Sequence, residues 1–108
     1  MITVLARFEM LEGKEIDVVE AVQKMAAAVK ANEPGCLAYT ASRGNVNSRE
    51  IYFFEIYEND KAFQDHARTE HMTEMRAAMN GCIEDGTFNI ESLDQAGGFI
   101  RGELDYTK

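Results

Sequence analysis

The stretch from Glu50 to Glu58, EIYFFEIYE, carries aromatic or branched residues on both of the faces it would present as a strand. Successive side chains of a strand point to opposite sides, so a strand apolar on both sides belongs inside a sheet and is covered on both sides. With 108 residues the chain has material for little more than one layer of helices on one sheet. One of the two covers is therefore expected to come from outside the chain.

The segments around this strand follow local rules. In residues 2–10, Ile2, Val4, Ala6, Phe8 and Met10 alternate with Thr3, Arg7 and Glu9, the pattern of a half-buried strand. Gly13 punctuates. Ile16, Val19, Val22, Met25, Ala26 and Val29 then recur at spacings of three and four, which predicts an amphipathic helix. That helix ends by Asn32, because Pro34 disfavours helix at Glu33 and Gly35 permits a sharp turn. CLAYTASR, Cys36 to Arg43, reads as a second strand, joined to the Glu50 strand through the turn formers Gly44 to Ser48. Asn59-Asp60 can cap a short helix through His66, and Thr69 can cap another that carries Met72, Met75 and Met79. Gly81 and Asp85-Gly86 close it, and Thr87 to Leu93 reads as a weaker fourth strand. The remainder, with Gly97-Gly98 before the apolar pair Phe99-Ile100, is a loose end or a docking arm.

The order strand, helix, strand, strand, helix pair, strand is the split β-α-β arrangement of the ferredoxin-like α+β fold with an antiparallel sheet. The expected division is one domain over residues 1–93 and a tail or docking arm over 94–108. Helices cover one face of such a sheet. The other face would present Tyr52, Phe54 and Ile56 together with Ile2, Val4 and Phe8, or else the opposite rows. A second copy of the chain is the simplest cover for a bare apolar sheet, which predicts a homodimer packed sheet on sheet.

The formal charge of −8 speaks against binding to nucleic acid or to anionic lipid, both of which need a basic surface. The N-terminal residues show no targeting pattern, and no apolar window is long enough to cross a bilayer. Cys36 and Cys82 are isolated from each other and from any CxxC pattern, so they read as reduced thiols of a cytoplasmic protein.

Several of these residues form a larger pattern: Glu33-Pro34-Gly35-Cys36 after the long helix, Tyr39, the run Phe54-Glu55-Ile56-Tyr57-Glu58-Asn59, then Ala62, His66, Thr69 and His71. Over roughly residues 1–93 it closely resembles the antibiotic biosynthesis monooxygenase domain. The resemblance implies a dimeric α+β barrel. It also implies an activity drawn from cofactor-free oxygenases of quinols and phenols, haem-degrading enzymes and isomerases of small ketones. The oxygenases and haem degraders of that family tend to use an Asn on the first strand and a Trp ending the third. Here ITVLARFEM holds no Asn, the chain holds no Trp, and Tyr57 stands where the Trp would be. That departure points away from haem degradation.

The two histidines, His66 and His71, are the candidates for chemistry. A metal pair on a helix wants a spacing of four; five residues on one continuous helix would set the rings roughly 140° apart, at about 100° per residue. No metal is expected. His66 should face the sheet, either as an imidazole held by a carboxylate or carbonyl, or as a general base that strips a proton from a phenol or enediol. Glu55, a charge on a central strand, is its candidate partner; an ion pair with Arg7 or Arg43 is the alternative. Glu55 and Tyr57 share one face of their strand. His71 is expected to make local capping or surface contacts, with a place near substrate as the functional option. The methionines fill core or form an adaptable pocket wall. The expected catalytic set is His66, Tyr57 and Glu55, with Phe53, Phe63, His71, Met72 and Met75 around a small aromatic or carbonyl substrate. No cofactor is called for, since an electron-rich diol deprotonated in a dry pocket can itself reduce oxygen. Three functions fit: a cofactor-independent monooxygenase of a small quinol or hydroxy-aromatic compound, a proton-transferring isomerase on the same scaffold, and a non-catalytic ligand-binding dimer.

Overall fold

The computed structural model describes residues 1–102. Seven elements follow in order: β1 (Ile2–Glu9), α1 (Glu15–Asn32), β2 (Cys36–Arg43), β3 (Glu50–Tyr57), α2 (Asp60–Ala67), α3 (Glu70–Met79) and β4 (Asn89–Asp94). The strands form one antiparallel sheet in the order β2-β3-β1-β4. This is the ferredoxin-like α+β arrangement, with helices on one side. As its composition requires, β3 lies inside the sheet, between β2 and β1.

The helix face of the sheet carries Ile51, Phe53, Glu55 and Tyr57 of β3, in register with Phe8, Ala6, Val4 and Ile2 of β1. Antiparallel partners share a face. The opposite face therefore pairs Tyr52, Phe54 and Ile56 with Arg7, Leu5 and Thr3, not with Ile2, Val4 and Phe8 as one of the expected groupings had it. Composition alone cannot tell which row of one strand faces which row of the next; the pairing register decides it.

The buried stripe of α1 is Val18, Val22, Met25 and Val29, while Ile16 stands exposed. The expected stripe thus holds over its last turns and is rotated at its start. Ile16 and Val18 lie about 200° apart around the axis, so only one of them can face the sheet. Val18 and Val22 meet Phe8, Phe53, Met79 and Cys82 in the core, where the Phe8 and Phe53 rings stack at 6.0 Å.

Asn59 caps α2 by accepting from the Ala62 amide at 2.9 Å, and Thr69 caps α3 by accepting from the Met72 amide at 3.2 Å. The second cap makes α2 and α3 separate helices, broken at Arg68-Thr69. The fourth strand begins later than expected and continues to Asp94, with every residue exposed. Its outer edge pairs with no other strand of the sheet. Both cysteines are free thiols. Among the described residues no helix is long and apolar enough to cross a membrane. Phe99 and Ile100 of the tail are exposed; the end of the expected arm, residues 103–108, lies outside the described residues.

Candidate functional site

The chain leaves α1 in a way that places an acid deliberately. Glu33 follows the last helical residue with φ −123° and ψ 77°, outside the helical region that the following Pro34 disfavours. Gly35 then passes so close to α2 that an added Cβ would lie 2.9 Å from Ala62 Cβ and 3.1 Å from Glu58 Oε1. Its carbonyl accepts from the Glu58 amide at 2.8 Å. This close approach brings the Glu33 carboxylate between the end of α2 and the start of α3.

Both histidines meet that carboxylate. His66 Nδ1 donates to Glu33, 2.9 Å from Oε1 and 3.1 Å from Oε2, and His71 Nε2 lies 2.5 Å from the same Oε2. The angular separation expected on a continuous helix does not apply, because the break at Thr69 redirects the chain between the two rings. They form a pair after all, around a carboxylate shared by direct hydrogen bonds. Among the described residues no group of three His, Cys, Asp or Glu could hold a metal ion.

With Nδ1 donating to Glu33, a neutral His66 keeps its lone pair on Nε2. Nε2 makes no hydrogen bond among the described residues, where no fully buried polar side-chain atom lacks a partner. Nε2 therefore reaches open space. The space that His66 borders is a cavity of about 500 Å³ between the sheet and the helices. Its walls are apolar, with Phe53, Phe63, Met72 and Met75 around His66, Glu55 and Tyr39. The expected wall residues Phe53, Phe63, Met72 and Met75 are thus brought together with His66 and Glu55.

Two other expected site residues stand elsewhere. Tyr57 is wholly buried and is not part of the cavity wall; its hydroxyl donates to Glu55 Oε1 at 2.6 Å, and its ring lies 5.3 Å from that of His66. His71 also lies off the wall, outward of Glu33. The carboxylate partner of His66 is Glu33 rather than Glu55. Glu55 takes the Tyr57 hydroxyl instead of an arginine, since Arg7 pairs with Glu50 at 3.0 Å and Arg43 donates to the Ser48 carbonyl.

Electrostatics sort these groups by what they can do. Burial raises the Glu55 carboxyl above its ordinary value; the Tyr57 hydroxyl and His66 partly offset this, and Glu33 adds to it. Burial, followed by the charge of Glu55, pushes both Tyr57 and Tyr39 well up, so both remain phenols. The Cys36 thiol is pushed up to about 12 by burial and by the charges of Glu33 and Glu55, which leaves it inert as a nucleophile. Among the described residues, His66 Nε2 is the ring nitrogen at the cavity that carries no hydrogen bond, and Glu55 borders the same space with one oxygen committed to Tyr57.

Glu33 is the residue that site reasoning from the sequence passed over. Its signal was present in the Glu-Pro-Gly turn, read as a helix stop and not as a device for burying an acid.

Comparison with known proteins agrees with this architecture. The family model described as antibiotic biosynthesis monooxygenase matches residues 1–78. A Caulobacter crescentus protein provisionally named for that activity is similar at 31% identity, over 89% of this chain and 90% of its own, with a TM-score of 0.83. A provisionally named monooxygenase from Lactobacillus acidophilus shares 26% identity over 86% of this chain, with a TM-score of 0.81; the match spans 43% of that longer chain. A Deinococcus radiodurans protein shares the fold at a TM-score of 0.80 and 18% identity, over 94% of this chain and all of its own. No curated protein matches the sequence. The family match over most of the chain, on this fold, places the protein in the antibiotic biosynthesis monooxygenase family.

Proposed function

We propose that the protein is a cofactor-independent monooxygenase that oxidises a small quinol or related hydroxy-aromatic compound. The observation that carries this reading is the unpartnered Nε2 of His66 opening on an apolar cavity. At about 500 Å³ the cavity falls within the usual range for small-molecule sites, about 300–1,000 Å³.

In this reading His66 Nε2 accepts the proton of one substrate hydroxyl, with Glu33 holding the ring in orientation. One Glu55 oxygen is taken by Tyr57, and the other faces a second hydroxyl. Two acceptors in one greasy hollow suit a diol. The aromatic walls keep water from the anion, which raises its reducing power toward oxygen. Electron transfer from the anion to O2, followed by recombination at a ring carbon, forms a C–O bond. Cleavage of the O–O bond then leaves one oxygen atom on the ring as a hydroxyquinone and releases the other as water. All four electrons come from the quinol, so the equation balances without a further reductant. The Tyr39 hydroxyl, which makes a long 3.9 Å contact to Met75 Sδ, can turn toward the developing oxyanion.

The catalytic group is thus His66, with Glu55 contacting substrate and Tyr57 and Glu33 positioning them. The catalytic domain in this reading is residues 1–93, followed by a tail or docking arm whose end, residues 103–108, lies outside the described residues. A cytoplasmic setting agrees with the two free thiols. A homodimer agrees with the open sheet face, where Leu5, Tyr52 and Phe54 are 41%, 45% and 41% exposed.

The test is oxygen uptake by metal-stripped protein with a panel of hydroquinones. Uptake is expected, and His66→Ala should reduce it by at least about 100-fold. Uptake absent from the parent, or retained by the variant, would remove the assignment. Substrate turnover without oxygen would establish a proton-transferring isomerase in its place.

A further inference from the structure

Side-chain exposure rises outward through the cluster, from 4% at His66 to 10% at Glu33 and 15% at His71. Oε2 of the one carboxylate touches both rings, at 3.1 Å and 2.5 Å. A single negative charge thus stands between two groups that can each become cationic. Two imidazolium rings sharing one carboxylate would repel at short range in a poorly solvated place. The geometry favours one cationic ring at a time.

We infer that His71 is a positioning residue that sets the proton affinity of His66: it carries the cluster's single positive charge at rest, and gives it up when His66 takes the substrate proton. The inference rests on the reading of His66 as the proton acceptor. At rest His71 is the imidazolium, Glu33 the carboxylate, and His66 neutral with its Nε2 lone pair facing the cavity. When the substrate O–H bond breaks, the proton binds His66 Nε2. His71 then releases its Nδ1 proton to water and remains a neutral donor to Glu33 through Nε2. One proton enters, one leaves, and the charge of the cluster is unchanged.

The other titratable groups packed against the cluster do not compete for this proton. Tyr57 and Glu55 approach from β3, and Cys36 and Tyr39 from β2. Both phenols and the thiol hold their protons tightly, and the raised Glu55 carboxyl has its Oε1 committed to Tyr57. Residue 71 also explains why an imidazole is useful there at all: a capping or surface role would need no ring at the carboxylate, because Thr69 already caps α3.

A structural clamp and a charge partner respond differently to His71→Gln. Glutamine keeps a neutral N–H for Glu33 but cannot hold the charge. In the charge-partner reading, Glu33 then serves His66 alone. The His66 ring, followed by nitrogen NMR in the substrate-free protein, should bind its proton about tenfold more tightly, moving its midpoint up by about one pH unit. With methylhydroquinone as probe, the acidic limb of the oxygen-uptake profile should move to higher pH by the same amount. A His66 midpoint that stays put or falls overturns the inference. A raised midpoint with no uptake by the parent protein leaves the inference standing and removes the oxygenase reading. Should the variant fail to fold, the unsubstituted chain decides: its two rings must titrate in two separated, mutually dependent steps, and two independent superimposable curves overturn the proposal.

Discussion

The two faces of β3 are built from alternate residues of one short strand, yet they behave as different materials. On the helix side, Ile51, Phe53, Glu55 and Tyr57 are all buried, and the charge among them has a hydroxyl partner. On the other side, Tyr52 and Phe54 stand open beside Leu5, while Arg7 bridges to Glu50 and lies 5.6 Å over the Tyr52 ring. The difference teaches where polar groups acquire function. On the covered face a carboxylate must be satisfied or neutralised, so its proton affinity moves. On the open face, water and salt screen the same kind of group, and its ion pair adds little to stability.

The sharpest way to break this comparison is to truncate neighbouring rings on opposite faces. Phe53→Ala should cost about 3–5 kcal/mol, since it empties core between Phe8 and Tyr39. Phe54→Ala, in solution too dilute for copies to pair, should cost about 1 kcal/mol or less. Urea denaturation measures both, and equal costs would erase the distinction between the faces. Next in size is association. If a second copy covers the open face, Phe54→Arg should leave the fold intact and abolish the dimer in sedimentation, with a loss of about 2 kcal/mol in association. An unaltered dimer would place the interface elsewhere.

The smallest effect concerns pH. The Glu55 carboxyl is raised in the fold above its ordinary 4.5. The folded state therefore binds this proton more tightly than the unfolded chain does. The resulting stability is fully present below the ordinary value and is lost as pH rises through the raised one. Glu55→Gln still accepts the Tyr57 hydroxyl but cannot ionise. Its melting temperature should be less sensitive to pH across that window than the parent's, and higher than the parent's above it. Parallel melting curves would show that the carboxylate is not under strain.

Much of the fold was legible along the chain because its causes are local. Alternation marked the strands, Asn59 and Thr69 announced two helix starts, and Pro34-Gly35 announced a stop. The apolar wall of the site was legible for the same reason, as Phe63, Met72 and Met75 lie on helix faces predictable from spacing. What failed was anything that depended on orientation between elements. The row of β1 facing Tyr52 and Phe54 was left open because register is a relation between strands. His71 was legible as a residue at the start of a second helix, but its bond to Glu33 was not, because that contact depends on how the end of α1 packs against the helix pair.

By itself, then, the sequence determined that β3 is interior, that helices lie on one side of the sheet, and that a histidine on the first of two short helices looks inward. Hydrophobic period and capping chemistry act over a few residues, and a single chain displays them openly. Only the tertiary structure decided that Glu33, far from both histidines in the chain, would be the carboxylate joining them, and that Tyr57 would serve Glu55 from behind the cavity. The physical reason is the close approach of Gly35 to Ala62: a hydrogen bond between distant residues exists only where packing brings backbones into contact, and no local pattern encodes that distance.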